Sequence, residues 1–274
     1  MKKFIALLFI IAIAISGCGG NGDAADDSEQ PGGSTTGKLD QIKSSGTLVM
    51  YTNAEFPPYE FIEGNEIVGV DVEIGKAIAE KLEVELEVVN ADFGGIVASI
   101  ASGKGDVAVS GITIDDERRA QVDFSTPYVE SVQYIIVPEN SDIGFVEDLS
   151  DKAVGVQSGT TGSMLVEDEI NEGVLRGGTT DLKQYTSAPV AMQDLINGRI
   201  DAVVIDELVA IALANEHEAY TAMPLVYTKG SPMTEQFGVA VAKGNEDLLA
   251  IIDEVVGGMV ADGLIELYIQ EYSE

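Results

Sequence analysis

From Leu39 onward, the spacing of apolar residues switches repeatedly between period two and period 3.6, and this limits the folds open to the chain. TLVMYTN (Thr47 to Asn53) reads as a buried strand, and FPPY breaks it with two prolines. VDVEIGKAIAEKL (Val70 to Leu82) has helical spacing, and VELEVVN (Val84 to Asn90) returns to period two. GGIVASIASG and GDVAVSG add a short helix and a short buried strand. Further on, KAVGVQSG is a strand, SMLVEDEI and PVAMQDLINGR are helices, and IDAVVID and FGVAVAKG are strands. The segment from Asn245 supplies closing helices. Strands alternating with helices predict an α/β protein with largely parallel sheets. An internal echo, ASGKGDVAVSG (Ala101 to Gly111) against INGRIDAVVID (Ile196 to Asp206), predicts two lobes. Ligands of open α/β sheets sit at the C-terminal ends of such strands.

Composition narrows the function classes. The 274 residues carry a formal net charge of -32, with 47 acids against 15 bases, and such a surface repels a phosphate backbone. No nucleic-acid partner is expected. One histidine, His217, and one cysteine, Cys18, leave little room for a histidine-based triad, a Cys/His metal site or an internal disulfide. No metal and no cofactor are expected.

The N-terminus has the form of a secretory signal. Lys2 and Lys3 precede an unbroken apolar run, Phe4 to Ile15, shorter than the ~20 residues a spanning helix needs. The run ends in ISGC (Ile15 to Cys18), which resembles the lipobox of bacterial lipoproteins. Gly19 to Gly37 has no aromatic and no Val, Ile, Leu or Met, so it buries nothing and reads as a flexible acidic tether. The expectation is a signal peptide over 1–17, a linker over 18–38 lipidated at Cys18, and a globular body anchored outside the membrane.

SGITIDDERRAQVDFSTPY (Ser110 to Tyr128) holds two of the chain's four arginines, Arg118 and Arg119, behind Asp115, Asp116 and Glu117. Acids before bases suit a short helix. Alternatively, one guanidinium leaves the surface to hold a substrate anion.

NAEFPPYEF, GVDVEIGKAIAEKL, SGITIDDERRAQVDFSTPY, GVQSGTTG and GRIDAVVID occur in that order along the chain. With these segments the chain, from about Leu39 to its end, resembles the bacterial extracellular solute-binding proteins of family 3, the polar amino-acid receptors of ABC importers. The resemblance implies two Rossmann-like lobes joined by a two-strand hinge, the type II periplasmic binding protein architecture. Lobe 1 would be discontinuous (39–132 and 236–274), lobe 2 would be 133–235, and the chain would cross near Val129 to Gln133 and Thr234 to Gly238.

It also implies roles. Arg118 would pair with a ligand α-carboxylate, for which a planar guanidinium fork is suited. Arg119 would be a surface charge. Thr113 and the Gly111 backbone would contact the ligand's carboxylate and amino ends, with Ser110 beside them. The Thr160 and Thr161 amides, opening a helix in SGTTG, would hold the carboxylate from lobe 2. Asp206 would receive the α-ammonium, the bland alternative being a helix N-cap. Phe56 and Phe93 would stack on the ligand. Asp71 and Glu73 read as structural.

Asn53 stands where receptors for basic amino acids and glutamine carry aspartate, and Gln157 stands where the glutamine receptor has lysine. Both are neutral and polar, and Glu55 and Glu207 lie near enough in sequence to alter the pocket's charge. The expected protein is a monomeric receptor for a free amino acid, working with a membrane permease and not an enzyme. A dehydratase on the same scaffold and a sensory module are the alternatives; a sensory module usually continues into a membrane helix, whereas this sequence ends at Glu274.

Overall fold

The computed structural model describes residues 37–274. The expected signal peptide, Cys18 and the expected tether as far as residue 36 lie outside the described residues. In chain order, helix α1 (Lys38–Ser45) leads into strand β1 (Thr47–Thr52), then β2 (Glu55–Phe56), β3 (Glu60–Glu63) and β4 (Glu66–Val68). Helix α2 (Val70–Leu82), β5 (Glu85–Asn90), α3 (Ile96–Ala101), β6 (Val107–Ala108), α4 (Asp116–Arg119) and β7 (Val122–Phe124) follow. The long strand β8 (Val129–Pro138) leads to β9 (Ala153–Gln157), α5 (Thr161–Asn171), β10 (Asp181–Tyr185), α6 (Ala188–Ile196), β11 (Ala202–Asp206), α7 (Glu207–Asn215) and β12 (Tyr220–Pro224). Strands β13 (Thr234–Phe237) and β14 (Ala240–Ala242) and helices α8 (Glu246–Ala261) and α9 (Leu264–Ser273) close the chain.

The fold is α/β with two lobes, each built on one sheet. The first sheet has the order β5-β1-β6-β14-β7 and the second β10-β9-β11-β8-β12. Strand β1 alternates half-buried and buried residues, with Leu48, Met50 and Thr52 turned inward. Strand β11 lies inside the second sheet and is buried at every position, as expected of a strand covered on both faces. Helix α8 buries Leu248, Ile252, Val256 and Met259, the stripe that 3.6 periodicity demands.

Each sheet is mixed, where the alternation predicts a largely parallel one. Strands β5, β1 and β6 are mutually parallel, and so are β10, β9 and β11. Strand β14 runs antiparallel to β6 and β7, and β8 antiparallel to β11 and β12. The connections explain this, because no helix separates β7 from β8 or β13 from β14, so neither strand is brought into its sheet by a crossover helix. The first residues of β8, Val129 to Val132, pair with β13, and the later ones pair with β11 and β12. FGVAVAKG, which reads as one strand, is broken between β13 and β14, where the Gly238 amide turns to Ile112 O.

On either side of the prolines the chain forms a small antiparallel sheet, β2-β3-β4. Its loop docks on the start of α2: the Val70 and Asp71 amides donate to Pro58 O and Tyr59 O at 3.2 and 2.9 Å. Those are orphan helix donors, so the loop acts as their cap. Gly69 makes the contact possible. Its φ is +125°, and a Cβ there would overlap the Tyr59 carbonyl. Gly69→Ala should therefore cost about 2 kcal/mol or more, from backbone strain and overpacking together. Gly257→Ala, in α8 with nothing within 4 Å of the added carbon, should stabilise by about 0.5–1 kcal/mol through the lower entropy cost of alanine in a helix. Denaturant midpoints of the two variants should move in opposite directions.

Candidate functional site

The arginine segment folds as a short helix whose cap sorts the two guanidinium groups. Asp115 is the N-cap, and its Oδ1 accepts from the Arg118 amide at 2.7 Å. One turn on, Arg118 points inward and is 6% exposed, while Arg119 is exposed, its guanidinium 5.9 Å from the Phe124 ring. The two neighbours thus part company, one guanidinium leaving the surface and the other staying on it.

Arg118 is held by main-chain oxygens from two parts of the fold. Nη1 donates to Thr113 O at 2.8 Å and Nη2 to Gly159 O at 3.0 Å, and Nε lies 3.3 Å from Asp115 Oδ2. A guanidinium has five N–H donors. The two hydrogen bonds leave one hydrogen on each terminal nitrogen. Phe93 lies 5.5 Å beneath the guanidinium carbon. Burial lowers the pKa of Arg118, and the charges of Asp115, Asp206 and Glu235 oppose that shift.

Two further contacts join residues on either side of the cleft. Gln157, ending β9, donates from Nε2 to Asn53 Oδ1 at 3.0 Å, and Thr161 Oγ1 donates to Thr113 Oγ1 at 2.9 Å. Asn53 Nδ2 is fixed by Ala91 O at 2.9 Å, and Gln157 Oε1 is buried without a donor. Gly111 has φ +50° and sits against Phe56, whose ring would be 2.7 Å from an added Cβ. Phe56 is itself buried and stacks on Tyr59 with centroids 5.8 Å apart. Thr160 is the N-cap of α5: its hydroxyl donates to Gln157 O at 2.8 Å and accepts from the Ser163 amide at 3.2 Å. Its own amide turns back to Gln157 O at 3.3 Å, so helix geometry leaves Thr161 and Gly162 as the amides without an intrahelical acceptor.

Asp206 ends β11 and stands at the N-cap position of α7, yet its side chain makes no capping bond and its Oδ1 has no donor. The bland N-cap reading therefore fails. Desolvation raises its pKa, the charge of Glu235 adds to this, and the Gln133 amide and Arg118 oppose it. Glu55 is exposed, and Glu207 accepts from the Tyr134 hydroxyl at 2.8 Å.

Two residues that the sequence does not single out complete the group, Glu235 and Gln133. Glu235, on β13, is 5% exposed, accepts from Thr113 Oγ1 at 2.6 Å, and is bonded through its other oxygen to Gln133 Nε2. A signal for it exists: in a period-two strand Glu235 shares a face with Phe237 and so must point inward. A cavity of about 400 Å³ adjoins this group, lined by Thr113, Asp115, Thr161 and Glu235 among others. The larger groove of about 560 Å³ between β4, α2 and β5 holds none of these residues, so size does not mark the site.

The family model for bacterial extracellular solute-binding proteins, family 3, matches residues 48–274. The chain belongs to that family. Among family 3 relatives, the L-cystine-binding protein TcyJ of Escherichia coli K12 is 33% identical over 233 residues, 84% of each chain. A crystal structure of a mutant ArgBP from T. maritima is similar at 36% identity and a TM-score of 0.76, covering 86% of this chain and 98% of that one. The substrate-binding protein AbpA of Streptococcus pneumoniae, bound to L-arginine, is 31% identical with a TM-score of 0.78, covering 85% and 97%. These relatives are named as binding proteins. No helix among the described residues is long and apolar enough to cross a membrane.

The raised pKa of Asp206 has a sign that can be tested. A carboxyl whose folded-state pKa stands above its unfolded value contributes stability below the ordinary carboxylate range, and loses it as pH rises through the folded value. Without ligand, Asp206→Asn should therefore be more heat-stable than wild type at neutral pH, the gap closing toward about pH 4. Thermal midpoints measured across pH check this, and a gap independent of pH contradicts it.

Proposed function

We propose that this chain is the extracytoplasmic receptor of an amino-acid ABC importer, tethered to the membrane through lipidated Cys18, and that it binds a free α-amino acid between its lobes for delivery to a permease. One observation carries the reading. A buried guanidinium with one N–H left on each terminal nitrogen shares a buried site with Asp206, a carboxyl whose Oδ1 has no donor. An α-amino acid presents the matching pair, a carboxylate and an ammonium on one carbon. The amides of Thr161 and Gly162 would add to the carboxylate's donors from the second lobe. Phe56 and Phe93 would wall the side chain, and Asn53 and Gln157 would meet its polar end. Ser110 and Gly111 would form the turn beside the ammonium.

The balance of charge favours the kind of side chain. Asp115, Asp206 and Glu235 all act on the single guanidinium of Arg118, and a zwitterionic backbone changes nothing in that sum. Neutral polar or basic amino acids therefore suit the site better than acidic ones, in keeping with relatives named for cystine, histidine and arginine. The protein acts by binding and closing, without chemistry, as a monomer.

Calorimetry tests the assignment, after a thermal-shift screen of L-arginine, L-glutamine, L-histidine, L-cystine and L-glutamate has chosen the ligand. Arg118→Ala should cost roughly 2–5 kcal/mol of binding, since it leaves a desolvated carboxylate unpaired. Arg118→Lys should also weaken binding, because an ammonium lacks the fork. Arg119→Ala should change it by less than about 1 kcal/mol. Equal losses at the two arginines would refute this division of roles. For the anchor, Cys18→Ser should release the protein from the detergent phase of a membrane extract, because a short apolar run without an acyl chain does not retain it.

A further inference from the structure

Behind the Ser110–Gly111 turn lie two carboxyl groups that ligand binding does not use. Glu60, on β3, and Asp71, in the first turn of α2, are both fully buried. Each holds one residue of the turn. Glu60 Oε1 accepts from the Ser110 hydroxyl at 2.6 Å, and Ser110 Oγ accepts in turn from the Asn53 amide at 3.0 Å. Asp71 Oδ2 accepts from the Gly111 amide at 2.7 Å and from the Tyr128 hydroxyl at 2.9 Å. The remaining oxygens, Glu60 Oε2 and Asp71 Oδ1, are buried and have no donor among the described residues.

Among the described residues, the groups that act most strongly on the two carboxyls are each other, Ser110, Thr52, Tyr128 and the Gly111 amide. Tyr59 also feels both, together with Asp206 and Glu207 from the second lobe. None of these is a cation. Two ionised carboxylates side by side in such a place would carry both a desolvation penalty and mutual repulsion.

We propose that Glu60 and Asp71 share a proton between Glu60 Oε2 and Asp71 Oδ1, and that this pair positions the Ser110, Gly111 and Asn53 wall of the binding site. The site itself rests on the functional reading above. With the proton in place all four oxygens are satisfied and the pair carries a single charge, which the Gly111 amide and Tyr128 hydroxyl solvate. Burial raises the pKa of both groups, in keeping with a pair that holds on to a proton. The stability the pair contributes is full below the ordinary carboxylate range and is lost as pH rises through the folded-state values.

Glu60→Gln tests this without any ligand, so its outcome is separate from that of the amino-acid assignment. The glutamine amide donates to Asp71 Oδ1 in place of the proton, and its oxygen still accepts from Ser110. Thermal midpoints from about pH 5 to about 9 should fall with rising pH more steeply in wild type than in Glu60→Gln. Asp71→Asn makes the same test from the other side, its amide donating to Glu60 Oε2, and should flatten the profile likewise. The NMR signal of the Gly111 amide reads the turn directly: it should shift in Glu60→Ala and return to its wild-type position in Glu60→Gln. Parallel pH profiles in wild type and both amide variants, or a Gly111 signal as displaced in Glu60→Gln as in Glu60→Ala, would overturn the proposal.

Discussion

Arg118 is a buried cation, and burying a guanidinium demands a surrounding built for it. Much of the site follows from that demand. The carbonyls of Thr113 and Gly159, the flanking Asp115 and the face of Phe93 all converge on one side chain. Gly159 and Thr113 belong to different lobes, so this side chain also ties the lobes together.

Acids inside the protein are handled differently from the acids that give it a charge of -32. Glu235 is bonded to Thr113 and Gln133, and it sits on the strand that pairs with β8. Asp206 keeps one oxygen without a donor, at a cost to the ligand-free protein that an ammonium would offset. Glu60 and Asp71 brace the turn carrying Ser110 and Gly111. The first group links the strand pair to the cluster around Arg118, the second leaves an acceptor open, and the third holds the Ser110–Gly111 turn.

Residues whose role is set by local chemistry are legible in the sequence. The arginine pair behind three acids announces a cap and a choice, and the fold buries Arg118 while leaving Arg119 exposed. Asp206 is legible because it ends an apolar strand, where open sheets present ligands. Less visible is anything that depends on which strands meet. The direction of β8 and β14 follows from their connections, and period-two spacing carries no information about direction. The β2-β3-β4 sheet hides behind prolines that read only as a break. Glu235 lies in a segment that the sequence marks for its course between lobes and not for its face, although the neighbouring Phe237 fixes that face. Asp71 reads correctly as structural, but its partner Glu60 lies on another strand, and no spacing rule brings the two together.

The most direct measurement of the central claim is a crystal structure of the protein with the amino acid that raises its thermal midpoint most. The account predicts that both oxygens of the α-carboxylate lie within hydrogen-bond distance of the Arg118 terminal nitrogens, and that the α-ammonium lies against Asp206. A carboxylate held elsewhere, or an ammonium that leaves Asp206 Oδ1 without a donor, would contradict it.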